Sequence, residues 1–63
     1  MSQEPDTTKI PVTIKDETQK AYLLVNHGGS EEWFPKSEVH FSYRNGTEAN
    51  AVIPDWLLEK KGW

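Results

Sequence analysis

Not one of the 63 residues is a cysteine, and for a chain this short that sets the terms of folding. No disulfide can staple the fold, no Cys-type zinc finger can form, and no thiol nucleophile is present. The length allows one domain at most. Such a chain buries only about 60% of the surface its unfolded form exposes, and its core supplies about 3–5 kcal/mol net. Stability therefore has to come from large apolar side chains, here three Trp, two Tyr and two Phe.

The order of these residues predicts a mainly β fold. Residues 1–8 are polar, carry Pro5 and show no periodicity, which reads as a disordered arm ahead of one small β-rich domain over residues 9–63. Ile10, Val12 and Ile14 alternate with polar residues, the pattern of a strand with one apolar face. Pro11 cannot donate to a ladder, which places that strand at an edge. "KDETQ" turns the chain. "KAYLLVN" is apolar on both faces, as in a central strand or a small closed barrel.

"EEWFP" is extended, because the residue before a proline avoids the helical region. In "EVHFSY", Val39, Phe41 and Tyr43 alternate with His40 and Ser42. Asn45-Gly46 predicts a two-residue type I′ hairpin leading into the return strand "EANAVI". Pro54 is suited to the first position of a two-turn helix. Asp55 and Glu59 on one side and Lys60 and Lys61 on the other complement the helix dipole. Gly62 supplies a left-handed cap. Four or five strands and a short C-terminal helix describe a small SH3-like or OB-like antiparallel barrel, or a curled sheet with a helix on it.

The charge balance is mildly acidic, with ten Asp and Glu against seven Lys and Arg. A nucleic-acid-binding domain usually carries a basic patch or stripe, and no Lys/Arg run here exceeds Lys60-Lys61. Duplex binding is disfavoured, and a basic partner surface is permitted. No apolar run approaches the ~18 residues of a membrane span, and "MSQEPDTTK" has no signal-peptide pattern. These features point to the cytoplasm.

"WFPKSEV" is the stretch from which a binding site is expected. Trp33 and Val39 are assigned to the core. Alternation then puts Phe34 on the opposite face, partly exposed and close to Lys36 at the Pro35 corner. An aromatic beside a cation is a composition enriched at interaction hot spots. Trp56 and Leu57 are expected to anchor the helix on the sheet, leaving Trp63 for a partner. The candidate binding residues are thus Phe34, Lys36, Tyr22, Tyr43 and Trp63.

An alternative use of Tyr22, Tyr43, Trp33, Phe34 and Lys36 is a stacking platform for single-stranded nucleic acid, with Lys20 and Arg44 adding charge. His27 and His40 have no helical i, i+4 pairing for a metal. "HGGS" lacks an accompanying nucleophile elbow. Glu31 and Glu32 read as solvated loop acids. No enzyme, metal or cofactor is expected.

Three blocks, "KAYLLV", "WFPKSEV" and "IPDWLLEKKGW", resemble a pattern found in short bacteriophage and prophage proteins of uncharacterised role. That pattern has Lys-Ala before an apolar run, then Trp-x-Pro-Lys-Ser-x-Ile/Val, then Ile-Pro-x-Trp-Leu with Lys-Gly near the end. The resemblance covers roughly residues 20–62, with Phe34 and Val39 at positions where Ile is common. It implies a small phage accessory protein in a bacterial cytoplasm, binding and modulating a host or phage protein. "FPKSEV" is also similar to the Pro-Ser-x-x-Val turn of SH3 domains, although here it lies mid-chain.

Overall fold

A computed structural model describes residues 6–63. Its elements in chain order are β1 (Thr7–Glu17), β2 (Ala21–Val25), β3 (Glu31–Pro35), β4 (His40–Asn45), β5 (Glu48–Pro54) and α1 (Asp55–Lys61). The five strands form one antiparallel sheet in the order β3-β2-β1-β5-β4. The mainly β expectation with a short C-terminal helix is therefore met.

The sheet is curled. Neighbouring strands lie about 4.8 Å apart, so the three steps from β2 to β4 would span roughly 14 Å in a flat sheet. Instead the rings of Tyr22 on β2 and Phe41 on β4 meet edge-on, with centroids 4.9 Å apart. The inner face collects Val12, Ile14, Leu24, Phe34, Ala49, Ala51 and Ile53, closed by Leu57 and Leu58 of α1. The two central alanines of β5 leave room for the larger rings that fold over them.

β1 corrects two expectations. It is central, between β2 and β5. Pro11 is tolerated because β2 pairs only with Thr13 and beyond, so at Pro11 the strand has β5 alone as neighbour. Residues 1–5 of the expected arm lie outside the described residues, but Thr7 and Thr8 begin β1, paired with Pro54 and Ile53. The same segment holds the start of the helix. The Asp55 amide donates to the Asp6 carbonyl (2.8 Å), and the Thr8 hydroxyl donates to the Asp55 carboxylate (2.6 Å). One of the orphan donors of a helix N-terminus is thereby satisfied. Pro54 stands just ahead of the helix as its N-cap, not within it.

Two bulges set which residues face inward. Lys15 is the extra residue of β1 opposite β2, and Ser42 that of β4 opposite β5. The second bulge separates Phe41 from Tyr43, which the alternation placed on one face. Phe41 pairs with buried Ala51 and points inward, whereas Tyr43 pairs with Asn50 and points out. The first bulge extends β1 to Glu17, so only Thr18 and Gln19 remain of the expected "KDETQ" turn, and Lys20, expected in the second strand, lies outside it.

The β4–β5 hairpin forms, with a different turn. Asn45 pairs with Glu48, which leaves Gly46 and Thr47 as the two loop residues. Type I′ needs positive φ at both loop positions. Among the described residues only glycines have positive φ, and Gly46 is one of them at 64°. Gly at the first loop position with a negative-φ residue after it is the type II′ arrangement. No helix among the described residues is long and apolar enough to cross a membrane.

Candidate functional site

The curl brings four strands to one seam. Glu17 ends β1, Tyr22 lies on β2, Lys36 follows β3, and Phe41 and Arg44 lie on β4. A turn in which Glu38 N–H donates to the Pro35 carbonyl (3.0 Å) links β3 to β4 and buries Val39, as expected of that residue. Lys36 is fixed at both ends. Its amide donates to the Lys20 carbonyl (2.8 Å), and its Nζ sits 4.9 Å from the Tyr22 ring centroid. The Arg44 guanidinium lies 5.8 Å from the Phe41 centroid. Both distances are within the range at which a cation is attracted to an aromatic face.

One carboxylate joins the two cations. Glu17 Oε2 accepts from Lys36 Nζ at 2.6 Å, and Oε1 lies 3.8 Å from an Arg44 terminal nitrogen. The hydrogen bond from Lys36 holds the Glu17 carboxyl below its ordinary value, and the charges of Lys36 and Arg44 act in the same direction. The three side chains remain partly open to water.

Of the five sequence-derived candidates, the structure brings Tyr22 and Lys36 together at the seam, buries Phe34 in the core beside Tyr22 with Trp63 packed on it, and leaves Tyr43 apart on the outer face. Phe34, expected to be partly exposed, is fully buried, while Trp33, expected in the core, is 40% exposed. The register decides this. Phe34 pairs with Tyr22 on the inner face, and Trp33 pairs with Leu23 on the outer one. A reading shifted by one residue reverses every side chain of a strand. Tyr43 stands on the outer face, 55% exposed.

The two C-terminal tryptophans exchange their expected roles. Leu57 and Leu58 face the core, and Trp56, rotated about 100° from Leu57, is 52% exposed. Gly62, at φ 78°, reverses the chain. Its amide donates to the Glu59 carbonyl (3.2 Å) and the Trp63 amide to the Leu58 carbonyl (2.8 Å). These are the two bonds of a Schellman motif, which returns the residue after the cap to the helix's apolar side. Trp63 thus packs edge-on against Phe34. Its indole N–H is buried without a hydrogen-bond partner among the described residues.

Glu17, Phe41 and Arg44 belong to the seam, although the sequence did not single them out together. Nothing local marks Glu17. It faces Tyr22 only because the Lys15 bulge shifts the register at the end of β1. Among the described residues no three His, Asp or Glu side chains gather in a metal-holding group. His27 and His40 are both exposed, the first in the β2–β3 loop and the second on β4. No family model, curated protein or solved structure matches the chain.

Proposed function

We propose that the chain is a non-enzymatic interaction module of bacteriophage type, acting in the bacterial cytoplasm, that binds and modulates a host or phage protein. The observation that carries this reading is the exposure of Trp33, Tyr43 and Trp56, at 40, 55 and 52%. The chain carries seven aromatic rings. Three of them are left in water while alanines occupy central core positions. Rings of this kind supply hot spots in protein interfaces. The phage assignment rests on the three sequence blocks and their order.

Single-strand nucleic-acid binding is the competing reading. It draws on the same exposed rings, on whose faces bases can stack. A pull-down from bacterial lysate, with and without nuclease, separates the two. A protein captured in stoichiometric amount despite nuclease, and lost with a Trp33→Ala/Tyr43→Ala/Trp56→Ala variant that remains folded, is the expected result. Capture that disappears with nuclease, or that the triple variant leaves intact, overturns the reading.

A further inference from the structure

The seam of Glu17, Lys36 and Arg44 has more donor capacity than its own acid uses. A guanidinium offers a planar fork that suits a carboxylate bidentately, with N···O distances of about 2.7–2.9 Å in such pairs. Glu17 approaches Arg44 only to 3.8 Å, and the Arg44 Nε–H makes a long bond of 3.3 Å to the Gly46 carbonyl. The two cations are nevertheless held in place, Lys36 on the Tyr22 ring and Arg44 on the Phe41 ring. At this place two positive charges face one negative, in a chain whose net charge is -3.

We propose that the seam docks an acidic segment of a protein partner, and that Glu17 occupies it as an internal competitor until a partner carboxylate takes its place. The incoming carboxylate pairs with the Arg44 fork and with Lys36. Glu17, at the end of β1 and 43% exposed, turns out into water. This inference rests on the interaction-module reading above and specifies the partner's chemistry. Carboxylates fit better than bases. The Tyr22 and Phe41 rings pack edge-on against each other and carry a cation each, so neither offers an open face for stacking.

The test is a fluorescence-anisotropy titration at low salt with a fluorescein-labelled oligoglutamate peptide. The proteins are the unaltered chain, Glu17→Gln, Arg44→Gln, and Lys9→Gln as a control cation away from the seam. Removing the competitor should tighten binding about two- to fivefold, the range expected from the strength of one exposed ion pair. Arg44→Gln should abolish most of it, and Lys9→Gln should change it little.

Binding that Glu17→Gln leaves unchanged or weakens, with the circular-dichroism spectrum intact, overturns the competitor role. Binding indifferent to Arg44→Gln overturns the site. A labelled oligothymidylate that binds Arg44-dependently while the peptide does not overturns the acidic-peptide assignment in favour of nucleic acid. A further measurement needs no variant: amide resonances of the unaltered protein followed as peptide is added. Shifts centred on Tyr22, Lys36, Phe41 and Arg44 are expected, and shifts centred on Trp33 or Trp56 overturn the proposal. The titration uses no cellular partner, so its failure is distinguishable from a failure of the pull-down.

Discussion

Trp63 packs edge-on against Phe34, with ring centroids 4.9 Å apart, so the residue after the helix cap closes the core over one of its largest fully buried side chains. Lys61 lies on the same ring, 5.8 Å from the centroid, and reaches Glu32 of β3 at 3.6 Å. Helix, cap and edge strand are thereby joined around one phenylalanine. A seven-residue helix is too short to persist alone, since isolated helices under ~12–15 residues are marginal in water. Its docking depends on these contacts together with Leu57 and Leu58.

The first prediction compares the two C-terminal tryptophans. Fully buried Trp→Ala changes cost about 3–5 kcal/mol, so the half-buried Trp63 should cost roughly 2 kcal/mol. Trp56→Ala, at an exposed position, should lie within about 0.5 kcal/mol of the parent. Trp63→Phe keeps a ring against Phe34 and removes the unpaired N–H, whose burial carries a penalty of about 1–3 kcal/mol. It should therefore match or exceed the parent in stability. Urea titrations followed by circular dichroism give all three values. A Trp56→Ala loss larger than that of Trp63→Ala would contradict the assignment.

The neighbouring pair on β3 makes the same point from the sheet. Phe34→Ala removes a fully buried ring at about 3–5 kcal/mol, as much as the whole stability expected of a domain this small. The chain should be unfolded at 25 °C. Trp33→Ala should give a folded protein with a melting temperature close to the parent's. A folded Phe34→Ala chain together with an unfolded Trp33→Ala chain would mean that the register of β3 on β2 is off by one.

These two pairs show where the sequence was legible and where it was not. Alternation marked the first and fourth strands, a two-sided apolar run the second, the position before Pro35 the third, the Asn45-Gly46 turn the fifth and the capping residues the helix, because all of these signals are local. The sheet order, with β1 at the centre, depends on which strands meet, and one proline pointed to an edge that exists only along half of β1. In "WF" the tryptophan reads as core because of its size, and at the C-terminus the tryptophan within the helix reads as core and the one past the Gly62 cap as free. What decides burial is the parity of β3 against β2 and the return of the chain through Gly62. The seam was half legible. Lys36 and Tyr22 were singled out, but Glu17 and Arg44 join them only through the curl and the two bulges, which nothing in the local sequence announces.

The hairpin gives a test of backbone alone. A Cβ added at Gly46 would meet nothing within 4 Å, but the residue sits at φ 64°. Gly46→Ala should therefore cost about 1 kcal/mol or more through strain, with no steric contribution. Asn45 has no positive φ in a type II′ turn, so Asn45→Ala should cost far less. Comparable losses for the two substitutions in thermal melts would restore the type I′ turn, in which both residues are strained.

The last prediction concerns acid. The Glu17 carboxyl is held below its ordinary value of 4.5, first by the hydrogen bond from Lys36 and then by the charges of Lys36 and Arg44. A carboxyl whose folded value is depressed binds its proton less readily folded than unfolded. Its stabilising contribution is complete above the unfolded value and disappears as pH falls through the folded one. Glu17→Gln cannot take part in this titration. The parent should melt slightly higher than Glu17→Gln at pH 7, and the gap should narrow below about pH 4.5 and close in stronger acid. Salt screens exposed pairs, with a Debye length of about 10 Å at 0.1 M, so the melts belong at low ionic strength and the gap should shrink when salt is added. A gap that stays constant from pH 7 to pH 3, or a Glu17→Gln chain that melts higher throughout, would show that the carboxylate does not hold the seam together. The first outcome would leave a side-chain packing effect as its whole contribution. The second would make Glu17 a net cost to the fold, retained at a place where two cations are offered to something else.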